Sequence, residues 1–178
     1  ETNQFAALGH SLVDSEEGID VEGICYDVNI QNKNKYIDNK NNLGNVYINK
    51  ESSIGYVYYD NYSGIYGKMN NVDIENYQEV ETANRYNIKT GKANILIRLD
   101  GENLESYEVE ILAINYLDSN KNLRIKITDE RLIAKTGGIV QGMSGTPVMQ
   151  NGKLVGAINC VSVDNPKDAY AIFIDKII

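Results

Sequence analysis

The sequence predicts a mostly β domain, a sandwich or barrel of short strands with few helices. Residues 24–30 alternate strictly, with Ile24, Tyr26, Val28 and Ile30 separated by Cys25, Asp27 and Asn29. Residues 123–127 read Leu-Arg-Ile-Lys-Ile, again with a period of two, which sends successive side chains to opposite faces of a sheet. Asn151-Gly152 separates two apolar runs and suits the positive backbone angles of a type I′ hairpin turn. Such runs recur about every ten residues, the spacing of a sandwich or barrel rather than of alternating strands and helices.

Taken in order, strand patterns occupy residues 24–30, 43–48, 53–59, 93–99, 106–114 and 123–127. They are followed by the hairpin of Val148–Gln150 with Lys153–Ile158 and by a last strand at 170–174. The polar, asparagine-rich segment 31–42 reads as an exposed loop. A second polar stretch at 68–78 reads as a joint between two lobes, with a boundary in the region 68–90 of one 178-residue unit. Helix signals are few, and the best covers 130–136, where Thr128 or Asp129 caps the first turn and Gly137 takes the left-handed position after the last. No internal repeat is visible.

Composition narrows the function. The chain has 178 residues, 42% of them apolar, 24% charged and two of them prolines, enough to bury a core. Its net charge of −8 lacks the clustered Lys and Arg that nucleic acid or an anionic membrane surface requires, so neither is an expected partner. No run reaches the roughly 18 apolar residues of a spanning helix, and the start ETNQFAALGH lacks the basic and apolar regions of a signal peptide. The abrupt opening suggests a domain excised from a longer protein. Cys25 and Cys160 admit one bridge at most, and both sit in alternating apolar surroundings that predict buried thiols. One histidine and two cysteines leave no zinc-type cluster, so no metal is expected.

The most specific local feature is Gly142-Met143-Ser144-Gly145-Thr146-Pro147, between the helix and the hairpin. A serine between glycines on a tight turn is accessible, and backbone N–H groups beside it can converge on one point, as an oxyanion hole requires. The amides of Gly142 and Ser144 are the natural donors. A hydroxyl is a weak nucleophile and needs a base within reach. The one histidine, His10 in Ala-Leu-Gly-His-Ser-Leu-Val-Asp, is the only imidazole available. Both features have bland readings, as an ordinary Gly/Ser/Pro turn and a surface histidine.

The block GGIVQGMSGTPVMQNGKLVGAINCVSVDNP, followed by AYAIFID, resembles the end of the sporulation stage IV B peptidase domain, and ALGHSLVD resembles its start. Gly64-Ile65-Tyr66-Gly67, Gly91-Lys92-Ala93 and Lys126-Ile127-Thr128-Asp129 extend the likeness along the chain. The resemblance implies a trypsin-like double β-barrel and a Ser-His-Asp serine endopeptidase with Ser144 as nucleophile, His10 as general base and no cofactor. By the same resemblance Asp129 takes the third role. An aspartate there is also well placed as a helix cap, and Asp14, Asp73 and Asp100 remain rivals. Relatives tend to carry a threonine-histidine pair where this chain has Asn159-Cys160, past the nucleophile, where such folds line the first specificity pocket. The family further implies cleavage of itself and of a membrane-associated sporulation regulator, thereby activating a signalling protease. Its setting would lie outside the forespore cytoplasm, in the space between the forespore and mother-cell membranes, with the full-length protein anchored in a membrane. The competing expectation is a protease-like fold that only binds peptides or partner proteins.

Overall fold

The computed structural model describes residues 3–13, 18–31, 45–71, 77–99, 103–140, 142–162 and 164–178, with backbone alone at 27–31 and 45–50. Four strands, β1 (Gln4–Ala7), β2 (Ile19–Gln31), β3 (Asn45–Asn61) and β4 (Gly64–Met69), form an antiparallel sheet in the order β1-β4-β3-β2. The tight link from β3 to β4 is held by Asn61, whose side-chain oxygen accepts from the Ser63 amide at 2.8 Å and the Ser63 hydroxyl at 2.7 Å.

The second half is a closed barrel. Its strands are β5 (Gly91–Ile97), β6 (Glu105–Ile114), β7 (Leu123–Ile127), β8 (Pro147–Gln150), β9 (Lys153–Val161) and β10 (Asp168–Phe173). Around the barrel the order is β10-β7-β6-β5-β8-β9, so closure leaves no open edge. The inward positions of β7, Leu123, Ile125 and Ile127, are fully buried with Tyr107, Val109, Ile111, Ile95, Val148 and Phe173. Each of these side chains stabilises the fold by about 1.5–3 kcal/mol through its burial.

A mostly β fold with a single α-helix is therefore observed, and the first sheet is open among the described residues. The helix α1 (Glu130–Thr136) has the expected bounds, with Asp129 as its N-cap and Gly137 in the left-handed region at φ 81°. Asn151 and Gly152 both take positive φ, 52° and 76°, as a type I′ turn demands. The runs at 43–48 and 53–59 differ from expectation, since they belong to one strand, β3. Its ladder with β2 passes from the Tyr26–Ser53 pair to the Val28–Ile48 pair, leaving the polar residues 49–52 out of register and resuming beyond them, so both runs stay within one strand. Strands β1 and β4 carry no sequence signal because both are short and β4 is interrupted by glycine. Gly67 is needed there, since a Cβ would lie 2.4 Å from the Phe5 ring and 2.3 Å from the Tyr56 carbonyl oxygen.

Loop 31–42 falls outside the described residues apart from Gln31, the last residue of β2. Of the stretch 68–78, Lys68 and Met69 belong to β4 and 72–76 lie outside. The two cysteines are free and half-buried rather than buried, because the alternation that flanks them leaves one edge of each open. Among the described residues no helix is long and apolar enough to cross a membrane. A small second cluster, Ala157, Ile172, Ile174 and Ile177 with Ala6 and Leu154, packs β1 of the open sheet against the outside of the barrel. This seam brings the N-terminal segment to the serine turn.

Candidate active site

Ser144 stands on a turn whose neighbours are fixed. Met143 is 1% exposed and anchors the turn in the core. Its carbonyl accepts from the Thr146 amide at 3.1 Å and the Thr146 hydroxyl at 2.7 Å. The Gly145 amide donates to the Ile158 carbonyl at 2.7 Å, and the Ile158 amide returns a bond to the Thr146 carbonyl at 2.9 Å. The Met143 amide donates to the Val140 carbonyl at 3.1 Å. Among the described residues, no backbone acceptor takes the N–H of Gly142 or of Ser144. The amides of 143, 145 and 146 are thus engaged, and the two named as oxyanion donors are left. Gly142 supports this turn at φ 100°, a region that side chains rarely adopt.

His10 arrives from β1 through Leu8 and Gly9, both left-handed at φ 73° and 71°. A Cβ on Gly9 would press on Asn159 Cβ and Ile172 Cγ2, each at 3.3 Å. One on Gly145 would lie 2.8 Å from the Leu8 amide nitrogen. The glycines therefore let the histidine segment lie directly on the serine turn and on β9. His10 Nδ1 is 2.9 Å from the Ser11 carbonyl oxygen. A carbonyl only accepts, so Nδ1 carries the proton and Nε2 is left as the basic nitrogen. The Ser144 hydroxyl donates to the Asn159 carbonyl at 3.4 Å. The hydroxyl and the ring are thus on adjacent loops but not hydrogen-bonded to each other, a looseness common before substrate binds.

Asn159 is 4% exposed, and its Nδ2 donates to the Asn120 carbonyl while Oδ1 has no partner. Beside it Cys160 is half-buried, and burial raises its thiol above the ordinary range. This pair follows Ile158, whose carbonyl and amide bind the Ser144 turn.

Asp129 has a different setting from the one the family pattern implies. Its Oδ1 accepts from the Arg131 amide at 2.9 Å and Arg131 Nε at 3.1 Å. Its Oδ2 accepts from the Glu108 amide at 3.1 Å and Arg131 Nη2 at 2.7 Å. The Arg131 guanidinium, ahead of the two amides, holds this carboxyl down at about 2. Gly9 touches the barrel beside Ile172, near where Ala171 pairs with Leu123. Asp129 lies six residues further along β7 and its extension, about 20 Å at the rise of a strand. The geometry is that of a helix cap, with no bond from Asp129 to His10. Of its rivals, Asp14, Asp73 and Asp100 lie outside the described residues.

Periodicity left one carboxylate near His10 unmarked. Asp60, at the end of β3, is 1% exposed. Its Oδ2 accepts from the Ser11 hydroxyl at 2.9 Å and from the amides of Leu12 at 3.0 Å and Val13 at 2.9 Å. The only hint in the sequence is an acidic residue closing the aromatic and aliphatic run Ile54–Tyr59.

Comparison with solved structures finds the Rv3671c protease of M. tuberculosis in its active form, with a TM-score of 0.50 and 16% identity. That match covers 74% of this chain and 59% of the other, so this chain spans about three fifths of that structure's length. An inactive serine-to-alanine mutant of the same protein matches with a TM-score of 0.45 and 14% identity, over 70% of this chain and 67% of the other. At such identity the likeness to the active form establishes a trypsin-like fold and nothing further. No curated protein matches the chain. The sequence model of the SpoIVB peptidase S55 matches residues 1–178, end to end, and the chain therefore belongs to that family of serine peptidases.

Proposed function

We propose that this chain is a serine endopeptidase working by acyl transfer, with Ser144 as nucleophile and His10 as general base. The observation that carries the reading is the packing of Leu8 and Gly9 directly on Gly145 and Asn159, so the segment ending in His10 lies against the turn of Ser144. In the first step His10 Nε2 takes the Ser144 proton as Oγ bonds to the scissile carbonyl carbon. The oxyanion that forms accepts from the Gly142 and Ser144 amides, which have no backbone acceptor among the described residues. The C–N bond then breaks, the leaving amine takes the proton from His10, and an ester remains on Ser144. Water then gives its proton to His10 as its oxygen bonds to the acyl carbon, the ester bond to Ser144 Oγ breaks, and Oγ takes the proton back from His10.

Membership in the family supports a protein substrate associated with sporulation. The finer reading is that the chain cleaves itself and a membrane-associated regulator, between the forespore and mother-cell membranes, and so turns on a signalling protease. Asn159 and Cys160 would line the pocket for the residue preceding the cut. The test is incubation of the purified chain with an unfolded protein, following both its fragments and those of the chain itself. Wild type is expected to cut, whereas Ser144→Ala and His10→Ala leave the substrate intact with an unchanged circular dichroism spectrum. Undiminished cleavage by Ser144→Ala would refute the mechanism. A well-folded wild type that binds peptides without cutting them would favour the binding-only alternative.

A further inference from the structure

We propose that Asp60 is the positioning residue for His10, acting through the strap Ser11-Leu12-Val13 that follows it; this rests on the reading of His10 as general base. A carboxylate 1% exposed is costly to bury unless its oxygens are satisfied, and here the amides of Leu12 and Val13 donate to it, with the Ser11 hydroxyl, whose one hydrogen is shared with the Val13 carbonyl, as a third donor. Among the described residues no Lys, Arg or His forms an ion pair with it. All three donors belong to residues 11–13, so the bonds of Asp60 bind the strap across the end of β3. That strand is held from both sides, Asp60 standing opposite Ile19 on β2 and Ile65 on β4. The anchor is therefore an interior strand, as rigid a mount as this sheet offers.

The effect reaches the ring through one backbone group. The Ser11 carbonyl, which accepts from His10 Nδ1, belongs to the peptide unit whose N–H is that of Leu12. Asp60 fixes the N–H side of that unit and thereby the direction of its C=O. A fixed carbonyl holds the proton on Nδ1 and leaves Nε2 turned to the serine. Asp60 also leaves a buried negative charge one strap away from the imidazolium that forms during acylation. Asp129 offers neither service, since its oxygens are taken by Arg131 and Glu108.

Because the chain has one histidine, its ring nitrogens can be observed without ambiguity. The experiment is a long-range proton–nitrogen correlation of the labelled ring in the Ser144→Ala background, at a pH where the ring is neutral, with and without Asp60→Asn. Asparagine keeps the shape and one accepting oxygen, but it removes the charge and puts an N–H₂ group where Oδ1 faces the Leu12 amide at 3.3 Å, which weakens the hold on that peptide unit. The expected result is one tautomer, Nδ1–H, with Asp60 present and a mixture of both in Asp60→Asn. In the Ser144 background Asp60→Asn should lower kcat by about 10²-fold, with KM within about threefold of wild type. Should Asp60→Asn fail to fold, Ser11→Ala removes one of the three bonds and is expected to show the same mixing, with about a tenfold loss of kcat. An unchanged tautomer in a folded Asp60→Asn chain, or in Ser11→Ala if only that folds, would overturn the proposal, whatever happens to activity. The tautomer measurement requires no turnover, so it stands even if Ser144 proves not to be a nucleophile.

Discussion

The segments that carry Ser144 and His10 meet at Gly145 and Gly9, which have no side chains to interpose. At Gly145, φ is 88° and the nearest atom to an added Cβ is the Leu8 amide nitrogen, so Gly145→Ala strains its own turn and pushes the histidine segment away. We expect a loss of about 1–3 kcal/mol in denaturant unfolding and of about 10²-fold in kcat from misplacement of the base. A variant with normal turnover would show that the two loops need not touch. Serine and histidine were legible in the sequence because glycines mark close backbone approach and because each has no competitor of its kind nearby. Asp60 was not, since its role depends on a loop returning from 47–49 positions earlier in the chain. The Asn159 carbonyl as the resting partner of the Ser144 hydroxyl was not legible either, because a backbone acceptor leaves no trace in residue type.

Helix α1 shows how an aspartate in a family motif can be fully occupied by structure. Its cap and its Arg131 partner together lower the carboxyl from its usual value near 4 to about 2. A lowered folded value means stability that is complete above the unfolded value and is lost as pH falls through about 4 toward about 2. The contribution is on the order of 2 kcal/mol at neutral pH. Asp129→Asn keeps the cap but loses the charge, so its unfolding free energy should fall below wild type at pH 7 and converge with it near pH 2. Its turnover should remain close to wild type, whereas a loss of about 10⁴-fold would restore Asp129 to the triad. Both ends of this helix could be read in advance, because capping is local chemistry. Strand β3 could not be read as one element, because its continuity comes from the ladder to β2 and not from its own pattern.

The two halves of the molecule differ in how they are built. Among the described residues every buried apolar side chain lies at Ile88 or beyond, in the barrel and its surroundings, whereas the buried residues of the first sheet are Asp60, Ser63 and glycines. Amide hydrogen exchange should therefore be slower in β6, β7 and β10 than in β1 and β4, and Ile125→Ala should cost about 2–5 kcal/mol in global unfolding. Equal protection in both halves would refute this division. The β class could be read from periodicity and the barrel architecture came from the family resemblance; periodicity itself did not say which strands pair, and so neither the closure of the second sheet nor the open form of the first among the described residues. Catalysis would then depend on a less protected half delivering His10 to a rigid barrel. Reaction with a fluorophosphonate probe, mapped by mass spectrometry, tests that claim most directly. A single adduct on Ser144 is expected, absent in Ser144→Ala and formed about 10³-fold more slowly in His10→Ala. No adduct on the folded wild-type chain, or equal labelling rates with and without the imidazole, would contradict it.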